Sequence, residues 1–137
     1  MKQPLDSTDI FAYTTKVLAG EKGLKLAIIY GSVAAGNMRS DSDVDLAVLF
    51  DHPLSAEHKM ELAARLEREL LRNVDLVDLS IISGTILKQI LCRGRVLFQK
   101  EGGVLAEQLR KMIYNQADMM PYVSRALMER QRRFVDG

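Results

Sequence analysis

The segment 24–50 constrains this chain more than any other. Two apolar runs, Leu24–Tyr30 and Val44–Phe50, flank a stretch that begins Gly31-Ser32 and ends with Asp43, and Asp45 lies just inside the second run. Runs of this length bounded by turn residues read as buried strands. Side chains alternate across a strand, so Asp43 and Asp45 share one face while Val44, Leu46 and Val48 share the other. The apolar face is expected to pack on helices. The carboxylate face must then meet water or cations.

The rest of the chain supplies elements around this pair. Asp6-Ser7-Thr8-Asp9 offers N-cap residues before Ile10, Phe11, Val17 and Leu18, and Gly20 follows, which predicts a first helix. Val33–Met38 is compatible with a short helix entered from Gly-Ser. Asp51-His52-Pro53 closes the second strand. Ser55 is placed to cap a helix from Ala56 to about Arg72, with Leu62, Leu66 and Leu70 on one face. Val74–Ile82 reads as a third strand. Ile86, Ile90 and Leu91 mark a further helix, with Gly94 at the C′ position. Arg95–Gln99 is expected as a short strand at a sheet edge. Helix continues from Val104, and Pro121 should break it. The order α-β-α-β-α-β-α-β-α predicts an α/β or α+β sheet domain.

The chain of 137 residues fits one domain, here expected to span 1–137. A net charge of +1 gives no global reason to expect nucleic acid as a partner. Cys92 is the only cysteine, which excludes an internal disulfide and a Cys-rich zinc site. No apolar run reaches the ~18 residues of a membrane span. Residues 1–6 lack the apolar core of a signal peptide, and a cytoplasmic location is expected.

Two carboxylates about 7 Å apart along a strand can converge on a hard divalent ion. Mg²⁺ takes one or two protein carboxylates and fills its shell with phosphate oxygens and water. Gly31 lets the backbone turn tightly and a phosphate approach, and Ser32 offers a hydroxyl and an N–H. A short helix from Ser32 would add a favourable dipole. A third carboxylate comes from Val74-Asp75-Leu76-Val77-Asp78. Asp75 and Asp78 face opposite ways, so one of them can point at the site. Asp75 heads its strand as Asp43 heads its own and is the first choice; Asp78 is the fallback. Gly-Ser or Asp-Ser-Asp alone is an ordinary loop sequence, and the conjunction gives the signal. Asp41, Asp43 and Asp45 also open like an EF-hand loop, but Leu46 and His52 stand where that loop needs Gly and Glu. No Gly-Lys-Ser/Thr follows a glycine-rich run, which excludes a Walker P-loop.

At these residues the chain resembles the minimal nucleotidyltransferases of the polymerase-β-like superfamily. Gly31, Ser32, Asp43 and Asp45 match their Gly-Ser…Asp-x-Asp signature, and the likeness extends over roughly residues 20–100. The resemblance implies an α+β (α/β-like) fold, a small mixed sheet flanked by helices, with a C-terminal helical extension over about 103–135. It implies Asp43, Asp45 and Asp75 as Mg²⁺ ligands and catalytic residues, and Gly31 and Ser32 as contacts to the triphosphate of ATP. Small members of this kind act as antitoxins that transfer AMP from ATP to a tyrosine of a HEPN-domain ribonuclease toxin. The expected partner is therefore such a toxin, in a hetero-oligomer, with a homodimer as the form taken alone. The alternatives are an antitoxin that acts by occlusion and a nucleotidyltransferase of small molecules.

Among other residues, His52 and His58 read as turn and helix-surface positions, Cys92 as a small core residue, and Tyr30 as core beside the site. Arg39, Lys88, Arg93 and Arg95 can flank a nucleotide or simply be solvated. Met112, Ile113, Met119, Met120, Tyr122, Val123, Leu127 and Met128 make the C-terminal region apolar, followed by Arg130, Arg132 and Arg133. Such a surface suits core packing or a partner helix.

Overall fold

The computed structural model describes residues 5–39 and 41–119. Helices and strands alternate along the chain: α1 (Ser7–Leu18), β1 (Leu24–Tyr30), α2 (Gly31–Ala35), β2 (Val44–Phe50), α3 (Ala56–Leu70), β3 (Val74–Asp78), α4 (Gly84–Arg93), β4 (Arg95–Gln99) and α5 (Val104–Met119). The strands form one sheet in the order β3-β2-β1-β4. β1 runs antiparallel to both β2 and β4, whereas β2 and β3 are parallel. The sheet is thus mixed. The β2–β3 crossover is made by α3, and β4 stands at an edge as its sequence suggests.

Both faces of the sheet are covered. Ile29, Val44, Leu46, Val48 and Phe50 pack with Ile10 and Leu18 of α1 and with Leu62, Leu66 and Leu70 of α3. Leu26, Ile28, Tyr30, Ala47 and Leu49 pack with Leu87, Ile90 and Leu91 of α4. The face that carries Asp45 is therefore polar only at one end of the strand. Beyond it Ala47 and Leu49 are buried beneath helix, which strand alternation from Asp43 and Asp45 did not anticipate. Among the described residues no helix is long and apolar enough to cross a membrane.

Local chemistry fixes the element ends. Asp6 caps α1, accepting the Asp9 N–H at 2.9 Å, while the Asp9 carboxylate takes the Asp6 N–H at 3.3 Å. Ser55 caps α3 through the His58 N–H at 3.0 Å. α3 stops at Leu70 because Leu71 turns left-handed (φ 56°). α2 begins at Gly31, two residues before the expected start, and ends early because Gly36 (φ 78°) is left-handed. β3 ends at Asp78, short of Ile82. The Asp78 carboxylate accepts the Ser80 N–H at 2.9 Å and the Ser80 hydroxyl at 2.8 Å, which turns the chain out of the sheet. Gly94 caps α4 in extended geometry (φ −74°, ψ 163°), not as a left-handed C′ glycine. Its smallness matters instead, since a Cβ there would strike Ile28 Cγ2 and approach the Ile90 carbonyl oxygen at 2.5 Å. Residues from Met120 on, including Pro121, Tyr122, Val123, Leu127, Met128 and the terminal arginines, lie outside the described residues, as does the Met119 side chain.

Candidate active site

The end of β1 and the starts of β2 and β3 meet at one edge of the sheet. Tyr30 lies opposite Asp45, and Asp45 lies opposite Asp75. Residues paired across a sheet project to the same face, so Tyr30, Asp45 and Asp75 form a row. Asp43 precedes Asp45 by two positions and adds a third carboxylate. Asp43 and Asp75 are exposed and Asp45 is half-buried. Burial first, then the charges of Asp75 and Asp43, push the Asp45 carboxyl above its ordinary range. Burial, followed by the charges of Asp45 and Asp75, pushes the Tyr30 phenol up to about 12.

Asp78 is elsewhere. It lies opposite Val48, on the other face of the sheet, and is 3 % exposed. Besides Ser80 it accepts the Leu54 N–H at 2.9 Å. Of the two acidic positions on β3, the parallel register brings Asp75 to Asp45 and engages Asp78 in holding loops. A parallel pairing of β2 with β3 is what the sequence could not disclose, because a crossover through α3 leaves no local trace.

Gly31 is required where it stands. Its φ of 74° lies in the left-handed region, and a Cβ on it would collide with Oδ2 of Asp45. The glycine of the Gly-Ser pair thus makes room for the carboxylate of the Asp-x-Asp pair. α2 has only five residues, too few aligned peptide dipoles to add much charge at its start. The turn offers exposed backbone more than a helix dipole.

A cleft of about 290 Å³ opens on the Gly-Ser turn, lined by Tyr30, Gly31, Ser32, Ala35, Asn37, Gln89 and Arg93. A second, of about 300 Å³, shares Gln89 and Arg93 and adds Thr85, Lys88 and Cys92. Arg93 therefore borders the turn with positive charge, in a cleft that none of the three carboxylates lines. Arg95 does not. It pairs with Ile29 on the opposite face and stacks over the Phe11 ring at 4.9 Å. Arg39 does not line the Gly-Ser cleft; its carbonyl is held by Arg72. Cys92 is exposed rather than core, because Leu87, Ile90 and Leu91 take the inward phase of α4. His52 bonds Asp51, and His58 bonds Glu21 at 3.1 Å, both remote from the carboxylates. Asn37, Gln89 and Arg72 carry no motif that sequence reasoning would single out.

Among the described residues no three acidic, His or Cys side chains are already gathered closely enough to hold a metal ion. Mutual repulsion of like charges opposes such gathering. The donor set itself, three carboxylates at a solvated strand end, fits a hard divalent cation.

Comparison with known proteins gives the family. The family model "Polymerase beta, Nucleotidyltransferase" matches residues 13–102, which includes the Gly-Ser turn and all three carboxylates. The chain belongs to that family. Among curated relatives of this nucleotidyltransferase is the protein adenylyltransferase MntA of Shewanella oneidensis, 36% identical over 75 residues, 55% of this chain and 54% of that protein. The match spans about half the length of that relative. In solved structures, a chain of a toxin–antitoxin complex with AMP-PNP superposes with a TM-score of 0.70 at 26% identity, covering 86% of this nucleotidyltransferase and 98% of its counterpart. A chain of a mutant of the toxin–antitoxin MntA-HpeT gives 0.66 at 27% identity, covering 90% and 98%. These matches carry the fold across nearly the whole of the counterpart chains, in keeping with the mixed sheet and its flanking helices.

Proposed function

We propose that this nucleotidyltransferase is a Mg²⁺-dependent protein adenylyltransferase, which moves AMP from ATP to a tyrosine hydroxyl of a HEPN-domain ribonuclease toxin and acts in the cytoplasm as its antitoxin. The single observation that carries the reading is the row of Asp45 and Asp75 with Asp43 beside it, set against the Gly-Ser turn. MntA, to which the chain is similar, bears the name protein adenylyltransferase, and similar solved chains come from toxin–antitoxin complexes. Both support the choice of acceptor.

Each residue has a role in this reading. Asp43, Asp45 and Asp75 would hold Mg²⁺, which when bound offsets charge on the α-phosphate and on the departing pyrophosphate. Gly31 and Ser32 take the triphosphate through backbone N–H and hydroxyl groups. Arg93 and Gln89 on α4 offer the β- and γ-phosphates charge and hydrogen bonds in the cleft on the Gly-Ser turn. The acceptor oxygen forms a bond to the α-phosphorus as the bond to pyrophosphate breaks. Asp75, exposed at its strand end, would help remove the phenolic proton, directly or by holding the metal. Tyrosine suits this chemistry, since its ordinary pKa of ~10 lies far below that of an aliphatic alcohol. Tyr30 of this chain suits the role less well than an ordinary tyrosine, because burial and the charges of Asp45 and Asp75 push its phenol up to about 12 and make its proton harder to remove.

The test is transfer of radiolabelled AMP to a co-purified HEPN partner. The paired substitution Asp43→Asn and Asp45→Asn is expected to abolish labelling while circular dichroism stays native. Labelling retained in that variant would sink the assignment. A variant that still protects cells from the toxin without labelling it would favour neutralisation by occlusion.

A further inference from the structure

Arg72 ties three separate segments together at the carboxylate end of the sheet. Its guanidinium Nη1 donates to the Arg39 carbonyl at 2.7 Å and to the Ser42 carbonyl at 3.1 Å, and Nη2 donates to the Leu5 carbonyl at 3.3 Å. Arg39 and Ser42 in turn bond each other. The Arg39 N–H meets the Ser42 hydroxyl at 2.7 Å, and the Ser42 N–H meets the Arg39 carbonyl at 3.1 Å. The next residue in the chain is Asp43. One step further, the Val44 N–H donates to the Asn73 carbonyl at 2.9 Å, and the Val74 N–H to Glu67 at 3.2 Å. The turn between α3 and β3 thus grips the approach to β2 from both sides of Asp43.

Asp43 itself lies before the first β2 residue and is exposed. No ladder bond fixes it, unlike Asp45. Without the brace, its approach segment would be a surface loop, and loops of that kind are the mobile parts of a fold. Arginine suits the task because its planar fork presents several N–H donors at once; lysine offers a single point charge. We propose that Arg72 is a positioning residue for the active site: by bonding the Arg39 and Ser42 carbonyls it holds Asp43 in line with Asp45 and Asp75. The inference rests on the adenylyltransferase reading for its kinetic consequence, but its structural content does not.

Two variants and two measurements test it. Arg72→Met removes the donors and keeps the aliphatic stem; Arg72→Lys keeps the charge and is the milder change. Amide hydrogen exchange on the metal-free protein should show faster exchange at Ser42 and Val44 in both variants, with β1 and α4 unchanged. In AMP transfer, kcat should fall by about 100-fold for Arg72→Met, the scale of a 1 Å misplacement, while KM for ATP stays within about twofold. Arg72→Lys should recover only part of that loss. Unchanged local exchange, or an Arg72→Lys variant with wild-type kcat, would overturn the proposal. So would equal loss of protection across the whole sheet, which marks general destabilisation. Wild-type protein without AMP transfer would instead refute the functional reading and leave the exchange test standing.

Discussion

Replacing Gly31 with alanine should reveal how tightly the two halves of the signature are coupled. Two costs act there. The first is conformational: at a φ of 74° an L-residue sits in the left-handed region, worth ~1–2 kcal/mol. The second is steric: the new Cβ would strike Oδ2 of Asp45, and over-packing of this kind costs ~1–3 kcal/mol. Together they predict a loss of about 2–5 kcal/mol for Gly31→Ala, a large share of the ~5–15 kcal/mol that a domain possesses. The costs separate in a double-mutant cycle measured by urea unfolding. In an Asp45→Ala background the collision is gone, so Gly31→Ala should cost only the ~1–2 kcal/mol of backbone strain. The coupling of ~1–3 kcal/mol between the two sites is the prediction. An identical cost in both backgrounds would refute the reasoning, because it would mean that Gly31 is needed for its backbone alone.

Two further outcomes follow from the electrostatics. Asp45 has a folded pKa above its unfolded value of 3.8, so its ionised form disfavours the native state, a penalty absent at low pH and complete above the folded pKa. Asp45→Asn should therefore be more stable than wild type at neutral pH, with the advantage shrinking as pH falls through the acid range. Chemical denaturation across pH measures it, and a variant less stable at neutral pH would contradict burial and carboxylate repulsion as the cause. The two arginines flanking Gly94 should part company. Arg93→Gln is expected to raise KM for ATP by about tenfold, the loss of one charge-assisted contact of roughly 1.5 kcal/mol, whereas Arg95→Ala should cost ~0.5–1 kcal/mol of stability through Phe11 and leave KM unchanged.

Much of this site was legible in the sequence because its parts are local. Gly31, Ser32, Asp43 and Asp45 lie within fifteen residues of one another, and strand alternation fixes which of them share a face. The parity of Asp75 and Asp78 was also legible, and the choice between them came from their place along the strand. Register supplied a physical reason: Asp75 aligns with Asp45, while Asp78 is buried among backbone donors. What escaped was non-local. The ends of β3 and α2 depend on side-chain and left-handed caps that periodicity does not encode. Sequence alone puts Cys92 in the core, because an apolar run on α4 hides the phase of the helix that leaves it exposed. Arg72 lies thirty or more residues from every carbonyl it bonds, and a single arginine after a helix carries no pattern.

Gly94 bears on the breadth of the cleft at the Gly-Ser turn. The residue that caps α4 abuts β1 with nothing but a hydrogen between the glycine and Ile28. Gln89 and Arg93 sit within the final turns of that same helix and form one wall of the cleft, while Tyr30 and the Gly-Ser turn form the other. The separation of the two walls is therefore set by how closely α4 can lie on Ile28 and Ile29. A methyl group at position 94 would act as a shim, lifting one wall while leaving every side chain that lines the cleft chemically intact. Aperture of this cleft is governed by a residue that does not line it.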